Sequence, residues 1–158
     1  MRLVAGQPEM AIEHSLQNVG SKQIESRVYD HNFLVLDRQP SGPDFTISLP
    51  FAIQADPSLE KELAETNGNQ VLYNRVLTGK DRVYTAIRGF GNSADDYKLQ
   101  VENKKRKAGI RVRGNRPLVH EALWSIRSVI SVEPFINMSI PPGGEFTWEY
   151  RYEYYQLP

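Results

Sequence analysis

The chain has 158 residues, 19 basic and 19 acidic side chains, and no cysteine. The charge balance leaves no global field to attract nucleic acid or an anionic membrane. Without cysteine there is no disulfide and no thiolate metal site, so the redox compartment stays open. The length argues for one domain over residues 1–158, large enough to bury roughly two-thirds of its unfolded surface. No apolar run approaches the ~20 residues of a spanning helix, and Met1 to Gly6 lacks the long apolar stretch of a signal peptide. The expectation is a soluble, cytoplasmic protein with neither nucleic acid nor membrane as partner. A secreted parent cut short at its N-terminus would have the same sequence.

Residues Glu9 to Gln17 alternate, with Met10, Ile12, His14 and Leu16 on one face, as in a half-buried strand. Asn18-Val19-Gly20-Ser21-Lys22 supplies turn residues. Gln23 to Leu36 reads as one long strand: Ile24, Val28, Leu34 and Leu36 are in phase, and Tyr29, His31, Phe33 and Val35 share the other face. Arg38 to Asp44 is a Pro/Gly-rich loop, followed by short strands on either side of Pro50. Asp56 and Pro57 resemble the start of a helix over Pro57 to Glu65, with Leu59, Leu63 and Ala64 as its apolar stripe and Asn67-Gly68-Asn69 as its end. Val71 to Leu77 and Arg82 to Arg88 read as a hairpin around Thr78-Gly79-Lys80-Asp81. Tyr97 to Val101 and Ile110 to Val112 are strands joined across Asn103 to Gly109. Two further strands cover Leu118 to Val132, and Pro141-Pro142-Gly143-Gly144 turns the chain into a last one. There Phe146, Trp148, Tyr150, Tyr152 and Tyr154 form one face. About a dozen short strands with at most one helix point to an all-β antiparallel sandwich.

Few stretches carry chemistry by themselves. Lys104-Lys105-Arg106-Lys107 lacks interleaved aromatics and reads as a solvated hairpin tip. Asn137-Met138-Ser139 matches a glycosylation acceptor, which a chain without a signal peptide has by chance. His14 belongs to an apolar sheet face, and His120 reads as a surface strand residue. The three histidines lack the i, i+4 spacing of a helical zinc site, so neither metal nor cofactor is expected. Gly89-Phe90-Gly91 lacks the rest of a phosphate-binding loop. The aromatic face from Phe146 to Tyr154 suits a filling between sheets better than a sugar-stacking platform.

The ordered set of motifs carries more than any one of them. Ile12 to Gly20, then Val28-Tyr29-Asp30-His31-Asn32-Phe33-Leu34, then Val132-Glu133-Pro134, then Pro142-Gly143-Gly144-Glu145 and the aromatic strand after it resemble the aldose 1-epimerase (galactose mutarotase-like) superfamily. Thr78 to Tyr84 resembles its hexose-phosphate branch. The resemblance implies a mutarotase-like β-supersandwich, shortened at its N-terminal side. It also implies a monosaccharide or sugar phosphate as ligand. Glu133 would be the general base that takes the anomeric proton, and His31 the general acid at the ring oxygen. Asn32, Trp124 and Asp81 would contact the sugar. Positioned imidazole and carboxylate groups exchange protons without metal or cofactor. Asn32 and Val35 depart from the family motif, and the arginine and second histidine of its N-terminal part have no counterpart here. A shortened sandwich exposes sheet edges and so favours a homodimer. A non-catalytic carbohydrate-binding module, or an inactive fragment of a longer protein, are the alternatives.

Overall fold

The computed structural model describes residues 1–158. Its strands are β1 (Arg2–Leu3), β2 (Glu9–Gln17), β3 (Ile24–Tyr29), β4 (Asn32–Leu34), β5 (Phe45–Ser48), β6 (Gln54–Asp56), β7 (Ala64–Asn67), β8 (Gln70–Tyr73), β9 (Val83–Arg88), β10 (Lys98–Asn103), β11 (Ala108–Gly114), β12 (His120–Ile126), β13 (Val129–Ile140) and β14 (Glu145–Gln156). The one helical piece is the 3-10 turn Ala94–Asp96. An eight-stranded sheet runs β1-β2-β14-β11-β10-β5-β8-β7, and a six-stranded sheet runs β3-β13-β12-β9-β6 with β4 also paired to β13. All pairings are antiparallel. The two sheets stack into the all-β sandwich that the strand spacing predicts.

Period-2 patterning decides which face each residue takes. Along β13, Ile130, Val132, Pro134, Ile136, Met138 and Ile140 are buried, whereas Asn137 and Ser139 on the other face are exposed. From the opposite sheet, Ile47, Val71, Leu99, Val101, Val112, Tyr150 and Tyr152 complete the core. The aromatic face of β14 is therefore interior at its centre, with Tyr150 and Tyr152 buried, and is the filling that the sequence favours. His14 lies opposite Trp148 in the β2–β14 ladder and stacks on it at 4.7 Å. The basic run from Lys104 to Lys107 is a hairpin tip, bounded by the pair Asn103↔Ala108 and closed by the Arg106 N–H donating to Asn103 Oδ1 at 2.9 Å.

Three expectations are corrected. No helix covers Pro57 to Glu65. Asp56 ends β6 opposite Ala86 instead of capping a helix, and only one turn forms, in which the Leu63 and Ala64 N–H groups both donate to the Glu60 carbonyl. Leu63 and Ala64 enter the core, and Ala64 starts an edge hairpin with β8. The hairpin closes through Gly68, whose φ of 60° suits a two-residue loop. Its ladder pairing outweighs a weak three-residue helical stripe. Second, β8 and β9 do not form a hairpin: β8 belongs to the large sheet and β9 to the small one, so the segment between them crosses the sandwich. Third, the strand expected from Gln23 to Leu36 is interrupted at Asp30 and His31.

Inside the sandwich, Glu121 points inward from β12. It is 1% exposed, and its Oε2 has no hydrogen-bond partner. Burial, reinforced by the charge of Asp96, raises its pKa from 4.5 to about 8. The folded state thus holds a proton that the unfolded chain gives up. Stability falls as pH rises from 4.5 to about 8 and has no further dependence on this group above that value. Glu121→Gln keeps the shape and removes the ionisation. Urea unfolding across that window is expected to show a shallower loss of stability with rising pH in the variant than in the native chain.

Candidate functional site

The site is built on β13. Its partners Tyr29↔Phe135 and Val132↔Asn32 belong to one continuous register. That register places Asp30 opposite Pro134 and His31 opposite Glu133. Proline has no N–H, so the ladder keeps only one of its two bonds there, from the Asp30 N–H to the Pro134 carbonyl at 3.3 Å. The missing bond explains the gap between β3 and β4. Directly opposed residues project to the same face of a sheet. His31 and Glu133 therefore meet on the outer face, where His31 Nδ1 lies 3.0 Å from Glu133 Oε1. Ser131 Oγ is 3.2 Å from the same nitrogen. Both contacts use Nδ1 and leave Nε2 out of them.

Aromatic rings surround this pair. The His31 ring sits between Tyr29 at 5.3 Å and Phe33 at 4.3 Å. Tyr29 stacks on Phe135 at 4.4 Å, and Phe33 meets the edge of Trp124 at 6.2 Å. Tyr29, Phe33 and Tyr84 remain exposed. Trp124 lies opposite Ser131 on one side and Tyr84 on the other, so it shares this face. The result is an open aromatic surface with a carboxylate and an imidazole at its middle. Aromatic walls around a few placed polar groups are the usual make-up of a small-molecule site.

Of the residues that the sequence nominates, His31, Glu133 and Trp124 come together, and two do not. Asn32 alternates with His31 and points inward. Its amide donates to the Val132 carbonyl at 3.0 Å, and its Oδ1 accepts from the Tyr152 hydroxyl at 2.9 Å. Both ends are engaged in the core, so Asn32 is not on the outer face with His31. Asp81 lies in the loop before β9. Its carboxylate accepts two bonds from Arg75, at 2.6 and 3.0 Å, and one from the Thr78 N–H at 2.7 Å. The Arg75 bonds, then the Thr78 N–H, hold its pKa far below the usual carboxylate range. Asp81 is a turn clasp.

Sequence reading missed His120. It pairs with Phe135 across the β12–β13 ladder and packs on that ring edge-on at 4.9 Å. Burial lowers its pKa, the charges of Arg27 and Arg88 lower it further, and Glu133 opposes them. His120 thus brings a second imidazole to this face, within the field of Arg27 and of Arg88, the latter paired with Asp56 at 3.0 Å. The signal was present only as pairing: His120 joins this face because Phe135 is its partner, and periodicity within β12 alone does not say so. No group of three His, Asp or Glu side chains converges to hold a metal ion.

By sequence, no protein-family model and no curated protein matches the chain. Solved structures do match by shape. A candidate aldose 1-epimerase from Klebsiella pneumoniae subsp. pneumoniae superposes with a TM-score of 0.73 at 14% identity, over 98% of this chain and 45% of its own length. A galactose mutarotase related enzyme from Lactobacillus acidophilus gives 0.59 at 17% identity, over 95% of this chain and 58% of that one. A galactose mutarotase-like protein from Lactobacillus casei gives 0.54 at 13% identity, over 92% and 58%. The chain has the mutarotase-like β-sandwich fold. It spans about half the length of these proteins.

The Nδ1 contact makes a spectroscopic prediction. A carboxylate that accepts from Nδ1 fixes the neutral ring as the Nδ1–H tautomer. At alkaline pH, where the ring carries one proton, the ¹⁵N shifts of the His31 imidazole are expected to show that tautomer in the native chain, and the preference is expected to weaken in Glu133→Ala.

Proposed function

We propose that the outer face of the six-stranded sheet binds a monosaccharide or sugar phosphate and interconverts its anomers, with Glu133 as base and His31 as acid. One observation carries the reading: an imidazole from the β3–β4 junction and a carboxylate of β13 meet at the centre of an open aromatic surface. The mutarotase-like fold supports it. Arg27, whose charge is felt at His120, suits an anionic substituent on the sugar, whereas Arg88 is already paired with Asp56 at 3.0 Å.

The chemistry follows from the atoms left free. With Nδ1 and Oε1 engaged with each other, Nε2 of the imidazolium and Oε2 of Glu133 face the ligand. The two oxygens on C1 of a cyclic sugar are close neighbours, so one pair of adjacent side chains can address both. Glu133 takes the proton from the C1 hydroxyl. The oxygen's electrons form the C1 carbonyl as the bond from C1 to the ring oxygen breaks. His31 gives its Nε2 proton to that departing ring oxygen. Rotation about C1–C2 presents the other face of the aldehyde, and reclosure returns both protons. Charge and atoms balance within the pair.

The second reading is a carbohydrate-binding module without turnover. It is favoured by the direct His31–Glu133 contact, which satisfies both groups in the absence of a sugar. The two readings separate by rate. Anomer exchange of glucose, galactose and glucose 6-phosphate is followed by polarimetry or exchange NMR. An acid–base group in place contributes about 10²–10⁴-fold. Glu133→Gln and His31→Gln are each expected to lower the catalysed rate by roughly that factor while sugar binding persists. Binding without acceleration in the native chain establishes the module instead.

A further inference from the structure

A recess lined mostly by apolar side chains lies beside the His31 site. It has a volume of about 380 Å³ and lies where the chain leaves β4, over the Ala108 end of β11 and the last residues of β14. Phe33, Val35 and Leu36 line one side, and Ile110 and Tyr154 the other. That volume falls within the ~300–1,000 Å³ of small-molecule pockets. The five side chains named are all hydrophobic or aromatic.

Two features show that this wall is built. Leu36 to Gln39 form a tight turn, closed by the Gln39 N–H donating to the Leu36 carbonyl at 2.9 Å. Its two central residues, Asp37 and Arg38, have φ of 48° and 57°. Neither is glycine, and side chains in that region cost free energy, so the surrounding structure holds the turn in place. The turn fixes the position of Val35 and Leu36. Val35 is nevertheless 53% exposed, an apolar side chain presented to solvent at the mouth of an apolar cavity.

The recess also adjoins the candidate site. Phe33 belongs to both: it lines the recess, and its ring lies 4.3 Å from that of His31. β4 pairs with β13 alone, so no strand stands beyond it to separate the outer face from the space between the sheets. A ligand held over His31 and Glu133 has a continuous apolar path around Phe33.

We propose that this recess is a subsite for an apolar substituent of the sugar bound at His31 and Glu133. The ligand class is a monosaccharide carrying an aryl or short alkyl group on a carbon other than C1, whose hydroxyl the reaction requires. The inference rests on the reading of the outer face as a sugar site.

The test compares galactose with its mono-O-benzyl ethers at C3, C4 and C6, and with benzyl alcohol alone. Affinities come from NMR titration of the ¹⁵N-labelled chain, alongside galactose anomer exchange. At least one ether is expected to bind about tenfold more tightly than galactose, because its ring leaves water for the recess. Val35→Arg, at an exposed position and checked for folding by thermal melting, is expected to return the ether-to-galactose affinity ratio to near one. Equal affinity of all ethers and galactose, with galactose anomers still exchanged, overturns the subsite and leaves the sugar site standing. Benzyl alcohol binding as tightly as the best ether also overturns it, since the recess is then an independent site. Absence of any sugar binding or exchange overturns both.

Discussion

The structure depends on the register of β13. This strand pairs with β3, β4 and β12, and its alternate residues serve both the core and the outer face. A shift by one residue would bury Glu133 and expose Val132. Pro134 marks the point where the ladder gives up a bond, but Tyr29↔Phe135 and Val132↔Asn32 show that the register passes through it unchanged. The contact between His31 and Glu133 is therefore a consequence of strand pairing, not of a loop finding its way to a distant partner. A two-residue junction held between strands of one register is positioned more precisely than a free loop.

The inner face holds that register in place through polar contacts between the sheets. The Tyr152 hydroxyl reaches across from β14 to both Asp30 and Asn32, the residues that flank His31 in sequence. Burial and the neighbouring Asp30 push the Tyr152 hydroxyl pKa upward, so it remains a donor. Tyr97 and Tyr150 lie close by with ring centroids 5.7 Å apart, and the Tyr97 ring is seated against Gly114, where an added Cβ would come within 2.3 Å of it. Backbone at Gly114 thus makes room for a ring that supports the tyrosine layer. The chain of influence runs from the large sheet, through Tyr152, to the two residues on either side of the imidazole.

Much of this was legible in the sequence, and the exceptions have physical causes. The strict alternation of Glu9 to Gln17 and of the aromatic strand from Glu145 defined β2 and β14 with little error. The same alternation put Tyr29, His31 and Phe33 on one face, and it implied that Asn32 faces away from them; family resemblance suggested a sugar contact for Asn32, and periodicity was the better guide. Asp81 misled because an exposed loop carboxylate near a motif looks available, whereas Arg75 and Thr78 already occupy it. The helix at Pro57 failed because local capping signals are weak beside the ladder bonds that Ala64 to Asn67 find with β8. The supposed hairpin around Gly79 failed because turn residues do not reveal that the chain changes sheets. His120 and the recess beside Phe33 require knowing which strands are neighbours, and no local pattern contains that.

Under the proposed function a sugar sits on the outer face of the six-stranded sheet, over the His31–Glu133 contact. Backbone and indole ¹H–¹⁵N shift mapping with galactose, glucose and glucose 6-phosphate addresses it without reference to turnover. Shifts are expected to concentrate at His31, Phe33, Ala122, Glu133 and the Trp124 indole, with β2 and β5 silent. Shifts confined to the charged outer face of the eight-stranded sheet, or none at saturating sugar, would contradict it.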